Sequence, residues 1–138
     1  MYKTILLTLE NSSTDQTLID HIKQLAKSMQ SRVVLLHVAT GVPAKWNGPN
    51  AAGEEIEEDQ AYLTRIEQEF VAAGIPAETV LSYGDPVAQI VKWVDTNHCD
   101  LVAMSTHGHR LLADILLGAT ASKVQHSISV PVLLLRSR

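Results

Sequence analysis

The chain has 138 residues, 46% hydrophobic and 19% charged, with a net charge of −4 and a single cysteine, Cys99. That length fits one domain over residues 1–138, and the negative balance without any Lys/Arg run excludes a primary nucleic-acid role, which needs cations clustered against phosphate. No apolar run approaches the roughly 20 residues of a membrane-spanning helix, and one cysteine excludes an internal disulfide framework and points to a reducing compartment.

The opening Met1-Tyr2-Lys3-Thr4 lacks the long apolar stretch of a signal peptide, which with the lone cysteine predicts a cytoplasmic protein. Ile5-Leu6-Leu7 with Leu9 is a short apolar run without strict alternation, the pattern of a parallel strand covered on both faces. Asn11 to Asp15 supplies N-cap residues for a helix whose apolar face is Leu18, Ile22, Leu25, Ala26 and Met29. Val33 to Val38 is a second buried strand.

Residues 39–53, with three Gly and two Pro around Trp46, predict a long loop of the kind that covers ligands. A second helix is expected after it, with Ile56, Leu63, Ile66, Phe70 and Ala73 on one face, an acidic start matched to the helix dipole, and Gly74 as its stop. Val80-Leu81 marks a short third strand. Gly84-Asp85-Pro86 opens a third helix, with Asp85 as N-cap and Pro86 in the first turn, and Val87, Ile90, Val91 and Val94 facing inward. Leu101 to Met104 is the fourth strand, a last helix runs from about Ala119 to His126, and Val130 to Leu135 is the final strand.

Strands alternating with helices predict a doubly wound, five-stranded parallel sheet with helices on both faces. Two strand orders fit, 3-2-1-4-5 and 2-1-3-4-5, and in either the ligand crevice lies beyond the carboxyl ends of the strands where the winding reverses. The first order puts Glu10 on one lip of that crevice and Ser105 to Gly108 on the other.

The segment after strand 4 reads Ser105-Thr106-His107-Gly108, nine residues, then Gly118-Ala119-Thr120. It suits an anion: Gly108 permits a turn that aims N–H groups into a concavity, and Gly118 lets a phosphate approach the N-terminus of the last helix. The plainer reading is that both glycines only make turns. This stretch resembles the Gly-x-x-Gly, nine residues, Gly-Ser/Thr motif of ATP-binding universal stress proteins. The likeness extends to Leu36-His37-Val38, Gly84-Asp85-Pro86, Asp100-Leu101-Val102 and Val130-Pro131-Val132.

That resemblance implies the 3-2-1-4-5 order of the adenine nucleotide alpha hydrolase-like fold. It also implies a dimeric stress-response module that binds ATP or another adenine nucleotide, with or without magnesium. By position, Glu10 would lie near the adenosine, Val38 and Met104 would frame the adenine, and Ser105, His107, Gly108, Gly118, Ala119 and Thr120 would line the ribose and phosphates. Three positions depart from the family motif. Ser105 replaces its first Gly, Ala119 the hydroxyl residue after its third, and Glu10 an Asp. A Cβ at 105 crowds a close ligand, and the lost hydroxyl forgoes a hydrogen bond of about 0.5–1.5 kcal/mol. A second reading follows: a dimeric protein-interaction module of the same fold whose pocket no longer takes nucleotide.

Other motifs carry less. Thr106-His107-Gly108-His109 matches T-x-G-H of nucleotidyltransferases but follows the fourth strand instead of the first, so adenylyl transfer is a remote alternative. His107 and His109 have no third metal ligand at suggestive spacing, no Walker A motif or nucleophile elbow occurs, and no catalytic or metal-binding set is expected beyond slow incidental ATP hydrolysis. Cys99 reads as packing and Trp93 as an edge or interface residue. Val130, Val132, Leu133 and Leu134 form an apolar strand at the sheet edge, and in the family the last strands pair across a two-fold axis, which implies a homodimer. An unidentified protein partner is expected to read out the bound state.

Overall fold

A computed structural model describes residues 1–39, 49–106 and 120–136, with the backbone alone for residues 49–55. The elements run β1 (Thr4–Leu9), α1 (Asp15–Met29), β2 (Arg32–Ala39), α2 (Pro49–Ala72), β3 (Ala77–Tyr83), α3 (Pro86–Thr96), β4 (Leu101–Ser105), α4 (residues 120–127) and β5 (Val132–Leu135). All strands are parallel in the order β3-β2-β1-β4-β5, the first of the two predicted orders. The winding reverses between β1 and β4, where Leu7 pairs with Ala103.

Side-chain alternation divides the core into two layers. Ile5, Leu7, Leu9, Val33, Leu35, Leu101 and Ala103 point to one face, packed by Leu18, Ile19 and Ile22 of α1 and Leu63, Ile66 and Phe70 of α2. Leu6, Val34, Leu36, Val102 and Met104 point to the other, against Ile90 of α3 and Ala121 and Val124 of α4. Burial on both faces is why the strands read as continuous apolar runs. Trp93, expected at an edge or interface, is half-buried and packs against the second layer. Cys99 is buried in the same layer, and burial pushes its thiol up, as suits a packing role.

Several predicted boundaries move. α2 begins at Pro49, so residues 49–53 are helical and the acidic run from Glu54 lies past the first turn, where it has no helix end to complement. A proline is well suited to a first turn, and a 24-residue helix docked through its later turns tolerates Gly53. β3 has 7 residues because its ladder with β2 extends over half-buried polar positions, from Ala77 to Tyr83. β5 starts at Val132: Pro131 has no N–H to give, and its carbonyl accepts from Val102 at 3.0 Å, while Val130 packs on the second layer outside the strand. α1 starts with Thr14 at the N-cap without a capping side chain. The expected ends at Gly74 (φ 83°) and Asp85, whose carboxylate accepts from the Ala88 N–H at 2.9 Å, are observed.

At the far end of the sheet, Asp100 Oδ2 accepts from the N–H groups of Lys3 and Thr4, each at 2.9 Å, stapling the start of β1 to β4. The Thr4 N–H, helped by Lys3 and His98, holds this carboxyl below its ordinary 3.8. A depressed value means the staple stabilises the fold above the ordinary carboxylate range and is lost as pH falls through the folded value. Asp100→Asn is therefore expected to flatten the acid limb of a plot of urea midpoint against pH between about 2.5 and 5.5; an unchanged limb would show the staple to be silent. Among the described residues, no helix is long and apolar enough to cross a membrane.

Candidate functional site

A cleft of about 500 Å³ opens at the carboxyl ends of β1, β2 and β4, at the reversal of winding. It has two chemically different sides. On the α3/α4 face it is apolar, with Leu36, Val38, Ile90 and Met104, closed by Pro86 and Thr120. On the α1/α2 face it is polar and acidic, with Glu10, Asn11, His37, Glu58 and Asp59.

The turn after β1 shapes the polar side. Asn11 is left-handed (φ 60°), a conformation its short polar side chain tolerates. Asp15, the first residue of α1 and fully buried, reaches back into this turn. Its carboxylate accepts from the N–H of Glu10 (3.0 Å to Oδ1, 3.1 Å to Oδ2), the N–H of Asn11 (2.8 Å) and, more distantly, that of Ser12 (3.4 Å). Tyr62 of α2 donates its hydroxyl to the same carboxylate at 2.6 Å, and burial with that bond pushes the phenol well above its ordinary value. One acidic side chain thus forms the turn and ties it to the next helix.

Glu10 is carried by that turn, with its Oε2 accepting from the Thr14 hydroxyl at 3.0 Å. Burial raises its carboxyl above the ordinary 4.5; the Thr14 bond and the nearby His37 oppose this, and Asp15 adds to it. A raised value means that stability is greatest below the ordinary range and declines as pH rises through the folded value. Glu10→Gln is accordingly expected to be more stable than wild type near neutral pH and equal to it near about pH 4. A thermal melt series that found no gain at neutral pH would count against the burial cost.

Of the residues singled out from sequence, Glu10, Val38, Met104, Ser105 and Thr120 all line this cleft. They come from the turn after β1, from β2, β4 and α4, so the fold brings together positions up to 110 residues apart. Thr120 borders the cleft from the first described residue of α4, near the hydroxyl position that Ala119 vacates in the motif. His107, Gly108, Gly118 and Ala119, and residues 40–48 of the expected loop with Trp46, lie outside the described residues. Val130, Val132, Leu133 and Leu134 lie at or beside β5 and are not in the cleft lining, although Leu134 pairs with Met104, which is.

Sequence reasoning missed His37, Asn11 and Asp59. His37 had a visible cue, a polar residue near the end of an otherwise apolar strand; Asp59 had none, because only the docking of α2 brings it to the cleft. Among the described residues, no group of three or more His, Cys, Asp or Glu has the arrangement of a metal site.

The model of the universal stress protein family matches residues 1–136. The chain belongs to the universal stress protein family. It is 27% identical to universal stress protein MJ0577 of Methanocaldococcus jannaschii, covering 100% of this chain and 97% of that one. The solved structure of MJ0577 superposes with a TM-score of 0.85 over 100% of this chain and 98% of that one. Two more distant structures share the fold. A universal stress protein in complex with cAMP is 20% identical with a TM-score of 0.74, over 99% and 98% of the two chains. One from Archaeoglobus fulgidus in complex with dAMP is 18% identical with a TM-score of 0.70, over 96% and 97%. The sheet order of this universal stress protein is therefore the one that its family resemblance implied.

Proposed function

We propose that this universal stress protein is a regulatory module of the stress-response type that binds an adenine nucleotide in the cleft and acts by binding, not by turnover. The observation that carries the reading is the two-sided lining. Leu36, Val38, Ile90 and Met104 offer an apolar slot of the kind that takes a flat base, and across from them Glu10 presents a carboxylate to which sugar hydroxyls donate. The placing of Glu10, Val38, Met104, Ser105 and Thr120 on one cleft supports it, as do the cAMP and dAMP complexes of proteins with this fold. In this reading His107, Gly108, Gly118 and Ala119 complete the ribose and phosphate side.

Titration calorimetry of the nucleotide-stripped protein with ATP, with and without magnesium, and with ADP, AMP and cAMP tests it. Saturable binding at about micromolar concentration is expected. No heat at about millimolar nucleotide would leave the fold as a protein-interaction module instead.

The module is proposed to act as a homodimer in the cytoplasm, signalling to a protein partner. β5 is the sheet's edge strand, paired on one side only with β4, and all four of its residues are half-buried and apolar. Such an edge invites pairing with a second chain. Leu133→Lys is expected to convert the dimer to monomer, read by light scattering; a dimer that persists would move the interface elsewhere.

A further inference from the structure

In the polar wall of the cleft lies a buried pair that the proposed nucleotide contacts do not use. His37, two residues before the end of β2, is 8% exposed and Asp59, on α2, 5%. His37 Nδ1 lies 2.8 Å from the Leu9 carbonyl oxygen, which only accepts, so Nδ1 carries a proton. On the other side of the ring Nε2 stands 3.3 Å from Asp59 Oδ2. Asp59 Oδ1 accepts from Asn11 Nδ2 at 2.9 Å, whereas Oδ2 has no hydrogen bond, the one such buried side-chain atom among the described residues. The 3.3 Å approach has the separation of an ion pair without the alignment of a hydrogen bond.

A ring protonated only on Nδ1 would set the Nε2 lone pair against a buried carboxylate oxygen, which is repulsive. A proton on Nε2 makes the contact attractive. The groups facing the ring agree on its charge. Glu10 from the turn after β1 couples to it electrostatically, Asp59 and Glu58 approach from α2, and Asp15 from α1 adds its field at Glu10. Among the described lining residues, His37 is the one side chain able to carry positive charge.

We propose that His37 and Asp59 form a proton-dependent latch that holds α2 against the end of β2 and so sets the polar wall of the nucleotide cleft. The inference rests on the nucleotide reading above for its effect on affinity, though not for the latch itself. Asn11 joins the latch to the turn carrying Glu10, so the wall moves as a unit with that turn. Loss of the proton leaves the wall uniformly acidic, loosens α2 and repels the phosphate of a ligand. Affinity therefore falls as pH rises.

Asp59→Asn removes the need for the proton while preserving shape. Its amide donates Nδ2–H to a lone pair at His37 Nε2, and its Oδ1 still accepts from Asn11. Two measurements follow. The first is the ring 15N shifts of His37 in the ligand-free protein near about pH 7, assigned by their loss in His37→Gln. Both nitrogens are expected to be protonated in wild type, and Nε2 to be an unprotonated acceptor in Asp59→Asn. The second is the affinity for cAMP, whose phosphodiester keeps one charge throughout, from about pH 6 to 9. An approximately tenfold decline is expected in wild type against less than about twofold in Asp59→Asn. A neutral wild-type ring with the same shifts as the variant, or parallel pH profiles, would overturn the latch. If cAMP does not bind at all, the nucleotide reading falls for that probe, and the ring nitrogens still decide the latch.

Discussion

Asp15→Ala is expected to lower the stability of this domain by about 3–5 kcal/mol, the largest loss for any single polar side chain in the turn. The carboxylate is buried and accepts from two close backbone N–H groups, a third at longer range and the Tyr62 hydroxyl. Alanine supplies no acceptor, so the donors of a tight turn lose their partner where water enters poorly, at roughly 1–3 kcal/mol for each group left unsatisfied. With a urea slope near about 2 kcal/mol/M, the midpoint should fall by about 1.5–2.5 M. Tyr62→Phe removes only one donor and should cost about 1.5 kcal/mol. Asp20→Ala, exposed on the same helix, should stay within about 0.5 kcal/mol of wild type. If Asp15→Ala loses no more than Asp20→Ala, packing and not the carboxylate holds the turn. Because Glu10 rides on this turn, the variant should also weaken nucleotide binding.

Val38→Asp is expected to reduce adenine nucleotide affinity by about 30–150-fold, or about 2–3 kcal/mol, while leaving the fold intact. Val38 is half-buried near the end of β2 and points to the apolar side of the cleft with Leu36, Ile90 and Met104. A carboxylate there gives up apolar contact with the base, and a bound base would strip water from the new charge. The position is more forgiving than Met104 or Leu36, which are buried in central strands, so a loss of binding can be separated from a loss of fold. Calorimetric titration beside a urea midpoint close to wild type would establish this. Unchanged affinity would place the base away from β2.

The order of elements was legible because each strand buried on both faces, such as Val33 to Leu36, leaves a short apolar run, and each helix leaves a single stripe, such as Leu18, Ile22 and Ala26. Capping chemistry was legible where it is strictly local: Asp85 binds an N–H three residues on, and Gly74 ends α2 with a positive φ. Local patterns misjudged Pro49, which opens a helix within a stretch that reads as loop, and the length of β3, whose half-buried residues show little hydrophobic contrast.

The sequence by itself determined the alternation of strands and helices, the family, and five residues that share one cleft: Glu10, Val38, Met104, Ser105 and Thr120. Periodicity and motif spacing encode these because burial repeats every two or 3.6 residues and glycine turns sit at fixed offsets. Only the tertiary structure decided how Asp15 is used, as the acceptor that folds the β1–α1 turn back on itself and meets Tyr62 across 47 residues. It alone placed Asp59 beside His37, since the meeting depends on the angle at which α2 docks on the sheet. Hydrogen bonds and ion pairs between distant elements have no period along the chain. They exist only once hydrophobic burial has brought the elements together, and so Glu10 and the apolar side of the cleft could be read in advance while the pairing of His37 with Asp59 could not.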